Sequence, residues 1–196
     1  MTRSPAAIDD KREAILAAAL QLFAERGFHG TAVPLIAEKA EVGAGTIYRY
    51  FPSKEAIANA LYQRWKGALA ATLVGDFPFE AAPRAQLAHF CARAFAFARQ
   101  HPLAFDFLEL HHHAPYLDEE SRAIEAMVLE PARQFFAQHQ RSRATRKAPP
   151  ELLGAIVWGA VVGLVKAARL GYASLTPQLE KQAIDVLWDA IRRQES

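Results

Sequence analysis

Helical spacing of apolar residues is the feature that most limits how this chain can fold. Apolar side chains recur every three or four positions through nearly every segment, and no convincing run alternates in the manner of a strand. Proline and glycine fall mostly between the periodic segments. The pattern predicts an all-α fold with helices near residues 10–26, 31–40, 44–50, 53–74, 84–100, 102–112, 118–140, 150–170 and 177–193.

Local signals refine these helices, and Ser53 is placed to cap the fourth. Asp10 is placed to cap the first helix, and Gly27 to take a left-handed conformation just past its end. Pro34 fits the first turn of the second helix, where its missing N–H bonds nothing. Pro131 lies well inside the seventh helix and cannot donate to the carbonyl of Met127, so we expect a kink or break there.

Composition indicates a soluble chain with ample material for a core. The hydrophobic fraction is 52% and charged residues are 22%. Cys91 is the one cysteine, which rules out an internal disulfide, fits a reducing compartment and predicts an inert core thiol. The start lacks the apolar stretch of a secretion signal. The longest charge-free apolar run, 152–165, is shorter than the roughly 20 residues of a membrane span. We therefore expect a cytoplasmic protein without a membrane partner.

Positive charge is concentrated in the first third of the chain. Residues 1–66 hold nine Lys and Arg against seven Asp and Glu, whereas residues 67–196 hold fourteen of each. Phosphate binding requires local rather than overall positive charge. The distribution hints at a polyanionic partner for the N-terminal region.

Residues 31–55 carry the pattern of a helix-turn-helix. Such a motif needs a small residue where its two helices cross, an apolar plug in the turn and an aliphatic residue inside the second helix. Ala37, Val42 and Ile47 satisfy these three needs. With Ile47 inward, the helical period turns several neighbours wholly or partly outward. These neighbours are Ala44, Thr46, Tyr48 and Arg49.

The outward residues suit a helix in the major groove of DNA. Arg49 can read a guanine edge, while Ala44 and the Thr46 methyl can meet thymine methyls. Glycine at positions 43 and 45 allows close backbone approach. The remaining polar groups would lie level with the DNA phosphates, and contacts there would fix the register of the helix on the duplex. These are the phenols of Tyr48 and Tyr50 and the ammonium of Lys54.

The run TAVPLIAEKAEVGAGTIYRYFPSKEAI, preceded by ILAAALQLFAERGFHGT, resembles the DNA-binding head of the TetR family of transcriptional regulators. The resemblance implies a nine-helix protein that binds a palindromic operator as a homodimer and usually represses. It also implies a small molecule that binds the C-terminal domain and releases DNA. We expect a DNA-binding domain over 1–54 and an effector and dimerisation domain over 55–196. Thr31, Thr46, Tyr48 and Lys54 match positions that commonly contact DNA in the family.

Two residues depart from the family pattern in the turn. Glu41 stands where glycine is usual, and a positive φ there would cost on the order of 1 kcal/mol. Gly43 replaces the serine often found at the cap of the recognition helix, a loss of about a few tenths of a kcal/mol. The fine geometry of the turn and the bases that are read depend on these two residues.

Helices four to eight supply candidates for a ligand pocket. Small residues face large aromatic ones, an arrangement that suits either a cavity or a plain core. The family architecture favours the cavity. The candidate lining residues are Trp65, Phe90, Phe95, Phe107, His112 and Trp158.

Histidines 111–113 raise the alternative of a metal-responsive regulator. Glu109 and His113 would share one face of a continuous helix, a workable pair for zinc or nickel. Consecutive histidines point about 100° apart on a helix, however, and cannot all bind one ion. We favour a solvated cap, or one histidine bonded to a polar ligand, and predict no metal and no cofactor.

Three glycines in the eighth helix, at 154, 159 and 163, suggest close approach of another helix. Each costs around 1 kcal/mol relative to alanine. Together with the stripe on the last helix, two copies could form a four-helix interface, with Gly159, Gly163, Val186 and Leu187 in it. Packing within one chain is the alternative. Paired DNA half-sites favour the dimer.

Two other functional classes remain. A helical enzyme would need a nucleophile–base pair or a metal cluster, and only the histidine run comes near. An architectural DNA binder would have a filled core and no effector. We predict a DNA-binding regulator and no enzymatic activity.

Overall fold

The structure, a computed structural model, describes residues 5–194, with side chains from Asp10 onward. Within this range the chain forms nine α-helices and no strand, which confirms the all-α prediction. The helices are α1 (Pro5–Arg26), α2 (Val33–Lys39), α3 (Ala44–Tyr50), α4 (Lys54–Val74), α5 (Pro83–Gln100), α6 (Pro102–Glu109), α7 (Glu119–Arg141), α8 (Pro150–Arg169) and α9 (Pro177–Ile191). Helix α7 runs through Pro131 without a break.

The described residues form two compact units. The first comprises residues up to Lys66 together with His101–Ile124, so it holds α1 to α3, the first part of α4, and α6. Here α1 packs against α2 and α6, and α2 packs against α3. Fully buried Ile15, Phe23, Ile36 and Ile47 form its core. Burial of these large apolar side chains is the main stabilising term for such a small helical unit.

The second unit comprises Gly67–Gln100 and residues from Glu125 onward. Its helices α5, α8 and α9 pack on one another. Phe95 and Phe97 are fully buried in it, and so is Cys91. Burial raises the pKa of the Cys91 thiol to about 12, so the thiol is protonated at neutral pH, in accord with an inert core residue.

Several predicted helix ends are confirmed. Gly27 has a φ of 70°, and Pro34 lies in the first turn of α2. Ser53 caps α4, because its Oγ accepts a hydrogen bond of 3.2 Å from the N–H of Ala56. Glu41 has a φ of 53°, so the turn does require a left-handed residue where this chain has no glycine.

Other predicted ends are wrong. Helix α1 begins at Pro5, so Asp10 lies within it and is not its cap. The cap of α2 is Ala32, one residue after Thr31. Helix α6 ends at Glu109, which leaves histidines 111–113 outside it. Glu109 and His113 therefore do not share a helical face, and the geometry expected for a metal pair is absent.

Helix α8 is apolar enough to require separate mention. It has 20 residues, and the mean hydropathy of its most apolar 18-residue stretch is 1.7. By length and composition it is the one described helix that could cross a membrane. Only 22% of that stretch is buried inside the chain. Leu153, Val157, Val161 and Val165 line its buried face. Helix α8 is thus buried within the chain on one face only.

Candidate nucleic-acid interface

Helices α2 and α3 meet as the sequence predicts for a helix-turn-helix. Ala37 and Ile47 are both buried, at 3% and 1% exposure, where the helices cross. The N–H of Val42 donates to the carbonyl of Ala37 over 3.0 Å, which closes the turn. The two short helices are held at one angle by these contacts, and α3 is left with an opposite face that the chain does not cover.

The open face of α3 presents the residues predicted to contact DNA. Ala44, Gly45, Tyr48 and Arg49 are exposed, with the Tyr48 side chain open at 57%. A Cβ added at Gly45 would meet no atom within 4 Å, so the backbone there is open to a close partner. Thr46 and Tyr50 are half-buried at the margins of this face. We call this set of six residues, 44–46 and 48–50, the α3 face.

Positive charge on this part of the chain is not neutralised within it. Arg49 and the exposed Lys39 form no ion pair with any residue of the described range. Exposed phenol hydroxyls and cations without an ion-pair partner are the groups that bind phosphates and base edges in a major groove.

Two residues predicted to contact DNA bond carbonyl groups of the unit itself. Thr31 is buried, at 1% exposure, and its hydroxyl lies 2.9 Å from the carbonyl of Gly27 and 3.2 Å from that of Leu22. The Lys54 ammonium donates to the carbonyls of Phe28 and Thr31 over 2.8 and 2.9 Å. It also lies 4.1 Å from the centre of the Phe28 ring. These groups join α4 to the segment after α1.

We expect substitution of Lys54 by methionine to destabilise the protein. The change removes two hydrogen bonds from a charged donor and a cation–π contact, and a charged hydrogen bond contributes about 1.5–3 kcal/mol. The free energy of unfolding, measured with urea, should fall by about 2–4 kcal/mol. Arg49→Met, at an exposed position, is the matched control and should change it by less than about 0.5 kcal/mol. Equal small effects would show that Lys54 is not a structural residue.

The histidine run bonds to the unit in a way that sequence analysis missed. His111 Nε2 lies 3.1 Å from the carbonyl of Ala24 in α1. His113 is buried; its Nε2 donates to the carbonyl of Phe107, and its Nδ1 lies 2.6 Å from the Tyr116 hydroxyl. The Tyr116 ring stacks on Phe28 with centroids 4.0 Å apart. The residues at 111–116 are therefore bonded to α1 and the turn after it. His112 is exposed.

Asn59 forms a second set of contacts that no sequence pattern indicated. Its side-chain amide is buried and donates to the carbonyls of Glu55 and Tyr116 over 2.9 and 2.8 Å. Its Oδ1 accepts from the Asp118 N–H and the Ser121 hydroxyl over 2.9 and 2.7 Å. All four hydrogen-bonding positions of the amide are filled. This fixes α4 to the start of α7.

The structure predicts a stability that falls in mild acid. Burial lowers the pKa of His113 below its ordinary value of 6.5. The unfolded chain then binds the proton more readily than the folded one, so the free energy of unfolding decreases as the pH falls below about 6.5. Thermal unfolding at about pH 7.5 and about pH 5.5 measures this drop. We expect a smaller drop in His113→Gln.

The matched control is His112→Gln, because His112 is exposed in the same run. Carboxylates such as Glu13 and Asp118 affect stability only in stronger acid. Their pKa values are lowered by hydrogen bonds to Arg64 and Ser121, respectively. His139, a buried histidine of the second unit, also has a lowered pKa and contributes to the parent's drop. A drop of equal size in parent and His113→Gln would contradict the prediction.

A helix-turn-helix with an open, cationic second helix defines a DNA-binding protein. Comparison with known proteins gives the family. Residues 15–61 match the family model described as "Bacterial regulatory proteins, tetR family", and residues 62–193 match "Tetracyclin repressor-like, C-terminal domain". The chain belongs to the TetR family of transcriptional regulators, as the resemblance in its sequence predicts.

Comparisons with individual proteins agree with this family assignment. The HTH-type transcriptional regulator RutR of Escherichia coli K12 is 31% identical over 181 residues, which are 89% of this chain and 79% of RutR. A putative TetR-family regulator from Vibrio parahaemolyticus has a TM-score of 0.74 and 26% identity, over 94% of this chain and 100% of that one. A TetR-family regulator from Marinobacter aquaeolei VT8 has a TM-score of 0.84 over 97% and 100%; at 22% identity it shows the fold alone. The relatives are regulators and not enzymes.

Proposed function

We propose that this protein is a repressor that binds a palindromic operator as a homodimer and leaves it when a small molecule binds the C-terminal domain. The observation that carries the proposal is the α3 face, which exposes Tyr48 and Arg49 on the second helix of a helix-turn-helix. Within it, Arg49 is the residue best suited to read a base, since guanidinium groups bond guanine in two places. Residues 1–54 form the DNA-binding domain in this proposal.

The proposed DNA contacts fall into two groups. The α3 face supplies the direct contacts: Ala44, Gly45, Thr46, Tyr48, Arg49 and Tyr50. Thr31 and Lys54 act indirectly, because their polar groups bond carbonyls of the unit itself. Their role is to hold the recognition helix in place rather than to bind phosphate.

The uncovered face of α8 supports the homodimer. Leu152 and Ile156 are exposed there at 51% and 42%, and Val186 of α9 at 68%. A Cβ added at Gly159 or Gly163 would meet nothing within 4 Å, so no residue that the structure describes requires glycine at either position. A partner helix would require it. Leu187, which the sequence placed in the interface, is buried within the chain and is not exposed to a partner.

The pocket for the small molecule is proposed from the family architecture and the aromatic residues. Phe95 and Phe107 are buried in their units, and Phe90 contacts Trp158 with ring centroids 6.0 Å apart. Trp65 is half-buried and His112 is exposed. We propose these residues, each within its own unit, as candidates for contacts with the effector.

Helix α4 has the contacts needed to connect effector and DNA. Arg64 pairs with Glu13 of α1 through two bonds of 2.6 and 2.7 Å, and Asn59 bonds the start of α7. Operator half-sites require recognition helices about 34–36 Å apart. A ligand that shifts α4 needs to favour another spacing by only a few kcal/mol to release DNA. We place the protein in the cytoplasm, where DNA and metabolites meet.

Metal-responsive regulation receives no support. Across residues 10–194, no group of three or more His, Cys, Asp and Glu side chains is arranged to hold a metal ion. His113 also has both ring nitrogens in bonds to protein oxygens.

Selection of bound sequences from random DNA tests the proposal. We expect an inverted repeat whose half-sites lie about 10 base pairs apart or a multiple of that. A gel shift on the selected duplex, repeated with a metabolite library, then tests release. Recovery of unpaired half-sites would contradict the dimer, and a shift that no compound changes at saturation would contradict the effector.

A further inference from the structure

Lys66 of α4 is a buried cation whose donors are mostly unused. The residue is 8% exposed, although an ammonium in a protein interior is costly unless it is well bonded. Its Nζ lies 3.3 Å from Glu109 Oε1 of α6, and both side chains are 10% exposed. That distance is long for a bond between charged groups, which are usually about 2.7–2.9 Å apart.

The ammonium has N–H groups that donate no hydrogen bond to any described residue. Lysine carries three N–H donors, and among the side chains and backbone that the structure describes Glu109 is the one acceptor bonded to this Nζ. The nearby Tyr62 ring contributes only its face, with the Nζ 5.7 Å from the centroid. His113 is no alternative acceptor, because its nitrogens already bond Phe107 and Tyr116.

We infer that Lys66 is the polar anchor of the effector site and donates to a carbonyl oxygen of an uncharged ligand. The inference rests on the proposed effector response. An uncharged ligand follows from Glu109, whose carboxylate already balances Lys66 and would repel a second anion. The rings of Tyr62 and Phe107, each fully buried or nearly so, belong to the same unit and suit the apolar part of such a ligand.

Three six-membered-ring probes test the assignment: cyclohexanone, methylenecyclohexane and cyclohexanecarboxylate. They share a ring and differ in the group that would meet Lys66. Binding to the whole protein is measured by ligand-observed NMR titration. We expect cyclohexanone to bind at least about tenfold more tightly than methylenecyclohexane, because a hydrogen bond to a charged donor is worth that much.

The test variant is Lys66→Met with Glu109→Gln, which removes both charges together. Buried ion pairs can often be replaced by uncharged residues with little loss of stability, and thermal unfolding checks that the variant is folded. It should bind methylenecyclohexane like the parent and lose the preference for cyclohexanone. Lys147→Met, at an exposed lysine, is the control and should keep that preference.

Four outcomes would overturn the inference. They are equal binding of ketone and alkene to the parent, an unchanged preference in the double variant, tighter binding of the carboxylate than of the ketone, or no binding of any probe. None of these would refute operator release by another compound. Conversely, ketone binding that depends on Lys66, in a protein that no compound releases from DNA, would keep the site and refute the effector response.

Discussion

Leucine at both Gly159 and Gly163 is expected to convert the protein from a dimer to a folded monomer and to abolish operator binding at working concentrations. A Cβ at either position meets nothing within 4 Å among the described residues, and both positions are exposed, so a leucine there can extend into solvent in the monomer. Leucine also stabilises a helix by about 0.8–1 kcal/mol relative to glycine. The change therefore acts on a partner helix, which the larger side chains would hold away.

Sedimentation and the gel shift provide the measurements. Loss of one half-site contact removes roughly half of the phosphate and base contacts, so we expect affinity for the full operator to fall by at least about 100-fold. Gly67→Leu is a matched control, since Gly67 is an exposed helical glycine of α4 whose Cβ would also be unobstructed. It should remain dimeric. A dimer that persists in the double leucine variant would place the interface elsewhere.

Alanine at Arg49 is expected to weaken operator binding by about 10–100-fold, the value of one bidentate contact to a base. The side chain is exposed and forms no ion pair with a described residue, so stability should change by less than about 0.5 kcal/mol. Specificity at one base pair of each half-site should relax in the selected sequences. Fluorescence anisotropy with labelled duplexes measures both effects.

Two further variants separate base reading from phosphate binding. Tyr48→Phe removes only the exposed phenol hydroxyl and should weaken all sequences by the same factor. Arg141→Ala, at an exposed arginine of the second unit, should leave affinity unchanged. If Arg49→Ala weakened operator and unrelated DNA equally, Arg49 would be a phosphate contact and not a base reader.

Local pattern was sufficient to predict the architecture. Helix periodicity, with proline and glycine between segments, predicted nine helices, and the structure has nine within residues 5–194. The spacing of Ala37, Val42 and Ile47 predicted the helix-turn-helix, and burial of Ala37 and Ile47 confirms the geometry. These successes share a cause. Each depends on residues within about ten positions of one another, and over that distance the helical period and the turn length determine which residues come into contact.

Hydrogen-bond partners that are distant in the sequence could not be predicted. Lys54 and Thr31 look like phosphate contacts in the sequence, yet their polar atoms bond carbonyls that the fold brings to them. For the histidine run the sequence left a metal pair open only as a disfavoured alternative; in the structure α6 ends at Glu109, and His113 bonds Phe107 and Tyr116. When a polar side chain has several possible hydrogen-bond partners, its actual partner is known only once the packing of the chain shows which of them lie within reach.

The sequence by itself determined the helices, the helix-turn-helix and membership of the TetR family, since these follow from short-range spacing and a contiguous motif. Only the tertiary structure decided which polar groups face outward and which form hydrogen bonds inside the protein. Lys54, Asn59 and Lys66 lie within one helix, yet the first bonds the head, the second bonds the start of α7 and the third retains donors that are not used. The reason is physical: the free energy of a buried polar group depends on the acceptors around it, and packing supplies them from remote parts of the chain.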